Sequence, residues 1–223
     1  MSRVIAVCEG ATEQEFCKRV LASYLFQKYG IAISPPVIDK SGGGLVSWSA
    51  LKYQIEGHLK AEEDCFVTTL IDWYGIKASH NFPMWDKCDR ITDVYKKVRA
   101  VEEAMKGEID ESLRYRFIPN FLVHEFEALL FCDKEVFYKY KVDSEGLNKI
   151  FKEFSNPELI NGGLETSPSH RLKRIVDGYS KVIVGPLLAE SIGIPTMRVK
   201  APHFNGWVET LISVASTQAS ITQ

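Results

Sequence analysis

No two cysteines stand at C-x-x-C spacing in this 223-residue sequence; its five, Cys8, Cys17, Cys65, Cys88 and Cys132, are an odd number at irregular intervals. That excludes the usual structural zinc and gives no disulfide framework. Cys8 and Cys65 fall in apolar, strand-like runs and are expected as small core residues. The simplest compartment is the cytoplasm. No apolar run approaches the roughly 20 residues of a membrane span, so no membrane association is expected. The start, MSRVIAVCEG, lacks a signal-peptide pattern because its apolar stretch runs straight into charge. A basic excess is also missing: 27 Lys and Arg stand against 29 Asp and Glu, a net charge of −2. Proteins that hold nucleic acid unaided usually carry a basic face. A local patch, a bound metal or a partner would have to attract such a ligand here.

The glycine-rich loop Ser41-Gly42-Gly43-Gly44 lacks the Gly-Lys-Ser/Thr ending of a P-loop, which argues against nucleotide hydrolysis. With Lys40 before it, the loop is either a phosphate cradle built from backbone N–H groups or a plain flexible turn.

What is present is the composition of a globular protein, 45% hydrophobic and 25% charged. The length suits a single domain, with an α/β core over about 1–135 and a helical elaboration over about 136–223. Residues 3–8 predict a strand. Apolar residues at helical spacing predict a helix from Thr12 to Tyr29, ended by Gly30. Ile31 to Ile38 predicts an edge strand, broken by Pro35-Pro36. Leu45 to Glu62 is expected to be helical, and Cys65–Ile71 a buried strand ending at Asp72. This β-α-β-α-β order implies a mainly parallel sheet flanked by helices. A surface segment follows over Trp73–Asp89, then a charged helix from Asp89 to Lys106. Tyr115–Val123 (YRFIPNFLV) predicts a further strand, with a helix directly after it at His124–Phe131 (HEFEALLF). Helices near Gly146–Phe154, Ser169–Val176, Pro186–Ile192 and Asn205–Ile212 complete the chain, with a polar loop at Asn161-Gly162-Gly163.

Chemistry concentrates at the predicted strand ends. Glu9 follows the first strand beside Gly10, Asp72 follows CFVTTLI, and Glu125 and Glu127 follow YRFIPNFLV. Parallel strands put their C-terminal ends on one edge, where open α/β sheets bind ligands. Clustered carboxylates there suit Mg²⁺ or Mn²⁺, and paired ions about 3.5–4 Å apart cleave phosphodiesters. Each acid also has a plainer account. Glu13 sits in a first helical turn, where an acid is favoured by the helix dipole. Thr12-x-x-Glu15 matches a capping box, which makes Glu15 a helix-start residue. Asp72 suits a turn. Glu125 and Glu127 point apart on a helix, so one is expected at the site and the other solvated or salt-bridged. His124 is expected as a hydrogen-bonded structural residue, with no second His at ligand spacing.

Candidate substrate contacts are Trp73 and Tyr74 beside Asp72, Lys40, and Arg171 with Lys173 where Ser169-His170 opens a helix; helix starts bind anions. The last two have a solvated helix face as the competing account. Pro202-His203-Phe204 and Trp207 form either an aromatic base-stacking surface or, the favoured reading, the packing of the last helix.

The runs VCEGATEQEF, LIDWYGI, HEFEALLF, ETSPSHRLKRI, VGPLLAESIG and APHFNGWVETL together resemble family 4276 of the domains of unknown function, grouped with Toprim-like proteins. The Toprim-like superfamily is the metal-dependent phosphotransfer domain of topoisomerases, bacterial primases and OLD-type nucleases. That resemblance implies a Toprim-like fold with metal ligation by Glu9, Glu13 and Asp72. The chain departs from the D-x-D pattern, because Tyr74 stands where the second acid belongs. Glu125 or Glu127 then substitutes, or the site holds one metal, or catalysis has been lost. The expected function is metal-dependent phosphodiester hydrolysis on DNA or RNA, with Glu9 and Asp72 as catalytic ligands. The alternative is a non-catalytic interaction module beside a separate ATPase subunit.

Overall fold

The computed structural model describes residues 2–39, 44–160 and 165–221, with side chains of the last helix only as far as 214. Lys40, Ser41-Gly42-Gly43 and Asn161-Gly162-Gly163 therefore lie outside the described residues. The chain runs β1 (Arg3–Cys8), α1 (Ala11–Phe16), a π turn (Cys17–Leu21), α2 (Ala22–Tyr29), β2 (Ala32–Ser34), α3 (Trp48–Ala61) and β3 (Cys65–Asp72). It continues through α4 (Trp85–Cys88), α5 (Val94–Glu108), β4 (Phe117–Ile118), β5 (Phe121–Leu122) and a 3₁₀ helix (Phe126–Cys132). The remaining α-helices are α6 (Ser144–Glu153), α7 (Pro168–Ile175), α8 (Val184–Ile192), α9 (Ile194–Lys200) and α10 (Pro202–Ile221).

All strand pairs are parallel, in the order β2-β1-β3-β4, with β5 extending the β4 lane along β3. Alternate residues of each strand face opposite sides, and both sides are covered. Val4, Ala6, Cys8 and Leu70 pack against Phe16, Leu21 and Leu25, and against Leu188, Phe204 and Trp207 of the C-terminal helices. Ile5, Val7, Val67 and Ile71 pack against Leu51 and Ile55 of α3 and Val98, Val101 and Met105 of α5. The C-terminal third thus forms much of one face of the core.

β2 lies at the sheet edge, and the chain stays extended past Pro35-Pro36 because Cys8 N–H donates to Pro36 O at 2.8 Å. Gly30 ends α2 in the left-handed region at φ 66°, where a side chain would be strained. Helix α3 begins at Trp48, capped by the Ser47 hydroxyl, and α5 at Val94, where Asp93 Oδ1 accepts from Lys96 N at 2.9 Å.

Two expectations are corrected. YRFIPNFLV is not one strand. Pro119 has no N–H to donate, and the ladder is bridged instead by side chains: Thr69 Oγ1 donates to Asn120 O at 2.8 Å and accepts from Asn120 N at 2.9 Å. HEFEALLF forms a 3₁₀ helix, entered through Glu125 in extended backbone. Trp73–Asp89 is the surface segment expected, with most of its residues exposed, and it is anchored by buried Trp73, Ile76, Phe82 and Cys88, Trp73 meeting Phe121 edge-on at 5.4 Å.

Buried Arg116 ties the C-terminal end of α3 to β4. Its guanidinium donates to Leu59 O and Glu62 O, both at 2.8 Å, and to Cys65 O at 3.3 Å. Helix-end carbonyls lack intrahelical partners and carry partial negative charge, so a buried cation suits them. Arg116→Met should lower unfolding stability by about 3 kcal/mol. Urea denaturation should show a lower midpoint at unchanged slope.

Candidate functional site

The unbroken β1–β3 register pairs Cys8 with Leu70, and β5 pairs Leu122 with Asp72. Glu9, Asp72 and the chain just past Leu122 therefore reach the same edge. Glu9 N–H donates to Leu70 O at 3.0 Å, and Glu9 Oε2 accepts from Asp72 N–H at 3.0 Å. The turn after Asp72 folds back over Glu9, so that a Cβ on Gly75 would lie 3.5 Å from Oε1.

Glu13 is buried one helical turn from Glu9, and its Oε2 accepts from Gly10 N–H at 3.1 Å. The capping pair is thus Gly10 with Glu13, not Thr12 with Glu15. Glu15 instead pairs with Lys18 and Arg19 across the surface of the helical run. Asp72 Oδ1 accepts from Phe126 N–H at 2.8 Å, leaving Oδ2 3.6 Å from Lys181 Nζ. Glu127 is fully buried. Its Oε2 lies 3.2 Å from Lys181 Nζ without a well-directed hydrogen bond, and its Oε1 is 3.5 Å from the Tyr179 hydroxyl. Glu125 faces elsewhere: its carboxylate accepts from Ser169 N–H at 2.9 Å and from the Ser169 hydroxyl at 3.1 Å.

Two further expectations change here. Glu125 is neither solvated nor salt-bridged but occupies the N-terminal end of α7, the proposed anion-binding helix start. Arg171 donates to Thr166 O at 2.7 Å and lies over the Phe154 ring, while Lys173 is exposed on the helix surface. His124 is the other. It takes a left-handed φ of 67°, and its imidazole has no hydrogen-bond partner among the described residues. Trp73 is buried against Trp85 and Phe121, and Tyr74 is half-exposed.

The site's electrostatics are set by four carboxylates sharing one ammonium. Burial raises the pKa of Glu9, offset in part by the Asp72 N–H and Lys181. Asp72 is pushed well above the usual carboxylate range by burial and then by Glu13. Burial lifts Glu13 to about 6 and also raises Glu127. Burial alone would push Lys181 down, but Asp72, Glu127 and Glu13 outweigh it and hold the ammonium charged. Tyr179 is held neutral by burial and by Glu127.

Among the described residues, no three His, Cys, Asp or Glu side chains are placed so as to hold a metal ion as they stand. Lys181 fills the space between Asp72 and Glu127. The donor set is nevertheless all oxygen, the chemistry of a hard cation, and its charge is only partly balanced. The Lys181 side chain is 38% exposed. Lys181 and Tyr179 escape sequence reasoning because they lie in an irregular stretch before α8, with no motif spacing to either acid run.

Residues 8–212 match the family model described as Domain of unknown function (DUF4276), and the chain belongs to that family. No curated protein and no solved structure matches it. All five cysteines are buried and free, and no helix among the described residues is long and apolar enough to cross a membrane.

The raised Glu13 pKa has a definite sign in stability. The folded state binds this proton more tightly than the unfolded chain, whose value is 4.5. The contribution is complete below 4.5 and lost as pH rises through about 6. It amounts to about 2 kcal/mol. Glu13→Gln keeps the acceptor for Gly10 and removes this titration. In EDTA, urea denaturation at about pH 5 and pH 7 should show the wild type losing more stability across that interval than the variant.

Proposed function

We propose that this DUF4276 protein is a metal-dependent phosphodiester hydrolase acting on DNA or RNA, with a Toprim-like site, working in the cytoplasm. The observation that carries this reading is the convergence of Glu9, Glu13, Asp72 and Glu127 on a single ammonium. Burial is the main reason these acids titrate high, with repulsion among Glu13, Asp72 and Glu127 adding to it. A divalent ion would offset both.

Glu9, Glu13, Asp72 and Glu127 would hold Mg²⁺ or Mn²⁺, with Glu9 and Asp72 as the catalytic pair. Such an ion supplies charge stabilisation at phosphoryl oxygens and lowers the pKa of a coordinated water. The protein's own part is orientation. Phe126 N–H fixes one oxygen of Asp72, and Asp72 N–H fixes one oxygen of Glu9, so each presents its remaining oxygen in a set direction. Lys181, once out of the cluster, is a mobile cation suited to a phosphate oxygen. The missing second acid of the Toprim pattern is supplied by Glu127, while Tyr74 points to a neighbouring cleft.

A second reading has its own supporting observation. With Lys181 paired to Asp72 and Glu127, the cluster can be a permanently neutralised scaffold, which would suit a non-catalytic module beside an ATPase subunit.

Metal binding separates the two. Millimolar Mn²⁺ or Mg²⁺ should raise the melting temperature of the wild type, with stabilisation near 2.7 kcal/mol at about 100 times Kd. Asp72→Asn and Glu9→Gln should remove the shift. Lys181→Met should be less stable than the wild type without metal, because it leaves buried acids unpaired, and should gain more from Mn²⁺. Cleavage of DNA or RNA should fall by orders of magnitude in Glu9→Gln. If neither the wild type nor Lys181→Met responds to either ion, the scaffold reading stands.

A further inference from the structure

Beside the carboxylates lies a cleft of about 710 Å³, within the range of small-ligand sites. Four aromatic side chains line it, Trp73, Tyr74, Trp85 and Tyr95, and its polar members are Thr92, Asp93, Lys97 and His124. The cleft and the acid cluster share two pieces of backbone. Trp73 follows Asp72 directly, and Tyr74 N–H donates to His124 O at 2.8 Å, joining the two walls. Two residues beyond His124, the Phe126 N–H holds Asp72. The cleft wall and the acid cluster are therefore joined through the backbone, although none of the clustered acids lines the cleft itself.

Unusual backbone lies at and near the cleft. Among the described residues, three non-glycine residues take left-handed backbone: Asn81, Met84 and His124. Met84 immediately precedes Trp85, and His124 is itself a wall. Strained conformations of this kind persist where the surroundings impose them, and they cluster at ligand sites. The imidazole of His124, without a partner among the described residues, offers two ring nitrogens to a ligand edge. At the rim Lys97 Nζ lies 3.4 Å from exposed Asp89, and Asp93 lines the same cleft.

We propose that this cleft binds an unpaired nucleobase, stacked on its aromatic wall with its edge toward His124. Flat aromatic surfaces that accept any base are the general device for gripping single strands, and a base paired within a duplex cannot enter such a pocket. The charge balance of the protein agrees, since stacking supplies affinity that a chain of net charge −2 does not obtain from phosphates alone. The inference deepens the hydrolase reading by naming a single-stranded or nucleotide substrate, but base binding itself does not require the metal.

The test is run in EDTA, so that it stands apart from metal binding. Saturation-transfer NMR with AMP should show signal on the base protons, and ribose 5-phosphate should give none. Trp85→Ala and, independently, the half-exposed Tyr74→Ala should each weaken AMP about tenfold or more, the usual effect of losing a stacking partner. A 12-nucleotide single strand that binds, and a matching duplex that does not, would identify a strand as the source of the base. AMP binding without strand binding would identify a free nucleotide. Equal binding of AMP and ribose 5-phosphate, equal binding of single strand and duplex, or full affinity in both variants would overturn the proposal. If base binding holds while Mn²⁺ leaves the melting temperature unmoved, the hydrolase reading fails and the cleft stands; the reverse outcome removes the cleft alone.

Discussion

The parallel pairing of β1 with β3, in register from Arg3–Cys65 to Cys8–Leu70, governs everything at this site. Because both strands run the same way, Glu9 and Asp72, 63 residues apart, finish within one hydrogen bond of each other. An antiparallel pair would have sent them to opposite edges. The sheet is covered on both faces, so the edge beyond the strand ends is where polar groups can gather without displacing core. The fold concentrates acids there and lets burial do the rest.

Burial is what makes the cluster unusual. Surface carboxylates at such spacing would be screened by water and salt, but Glu127 is fully enclosed and Glu13 and Asp72 nearly so. Each raised carboxyl records free energy that the native state spends against its own ionisation. Proteins tolerate such regions where function requires them. Lys181 lessens the conflict without removing it, and its attachment outside regular structure, just ahead of α8, gives that side chain more latitude than a helical residue would have.

The architecture was legible where a single local rule governs. Val4–Val7 and CFVTTLI could only be buried strands, Gly30 a helix end, and Pro35-Pro36 an edge. It was illegible where two rules compete. Thr12-x-x-Glu15 satisfies the capping pattern, yet Gly10 and Glu13 perform it, because the helix begins one residue earlier, at Ala11. YRFIPNFLV has strand composition throughout, but Pro119 interrupts the ladder and Thr69 with Asn120 replaces it by contacts invisible in one dimension. For the candidate site, Glu9 and Asp72 could be proposed because a strand end is a local feature. Lys181 could not, since its place among the acids arises only from tertiary packing. The same holds for the cleft, whose members come from the turn after β3, α4, α5 and the chain after β5.

The third set of acids is divided where the chain enters its helix. Beyond β5 the chain enters a 3₁₀ helix instead of an α-helix, with Glu125 still extended at its start. Glu125 stands in extended backbone and Glu127 within the first helical turn, and their side chains go to different neighbours. Glu127 is thereby turned into the cluster, and Glu125 outward to cap α7 through Ser169. The two glutamates of HEFEALLF thus serve different elements: one joins the acids of the sheet edge, the other fixes a helix of the C-terminal third beside them. The position occupied by Tyr74 is then free of any duty toward the acids, and its ring can line the cleft, an arrangement that a second acid after Asp72 would have exchanged for more charge in an already crowded site.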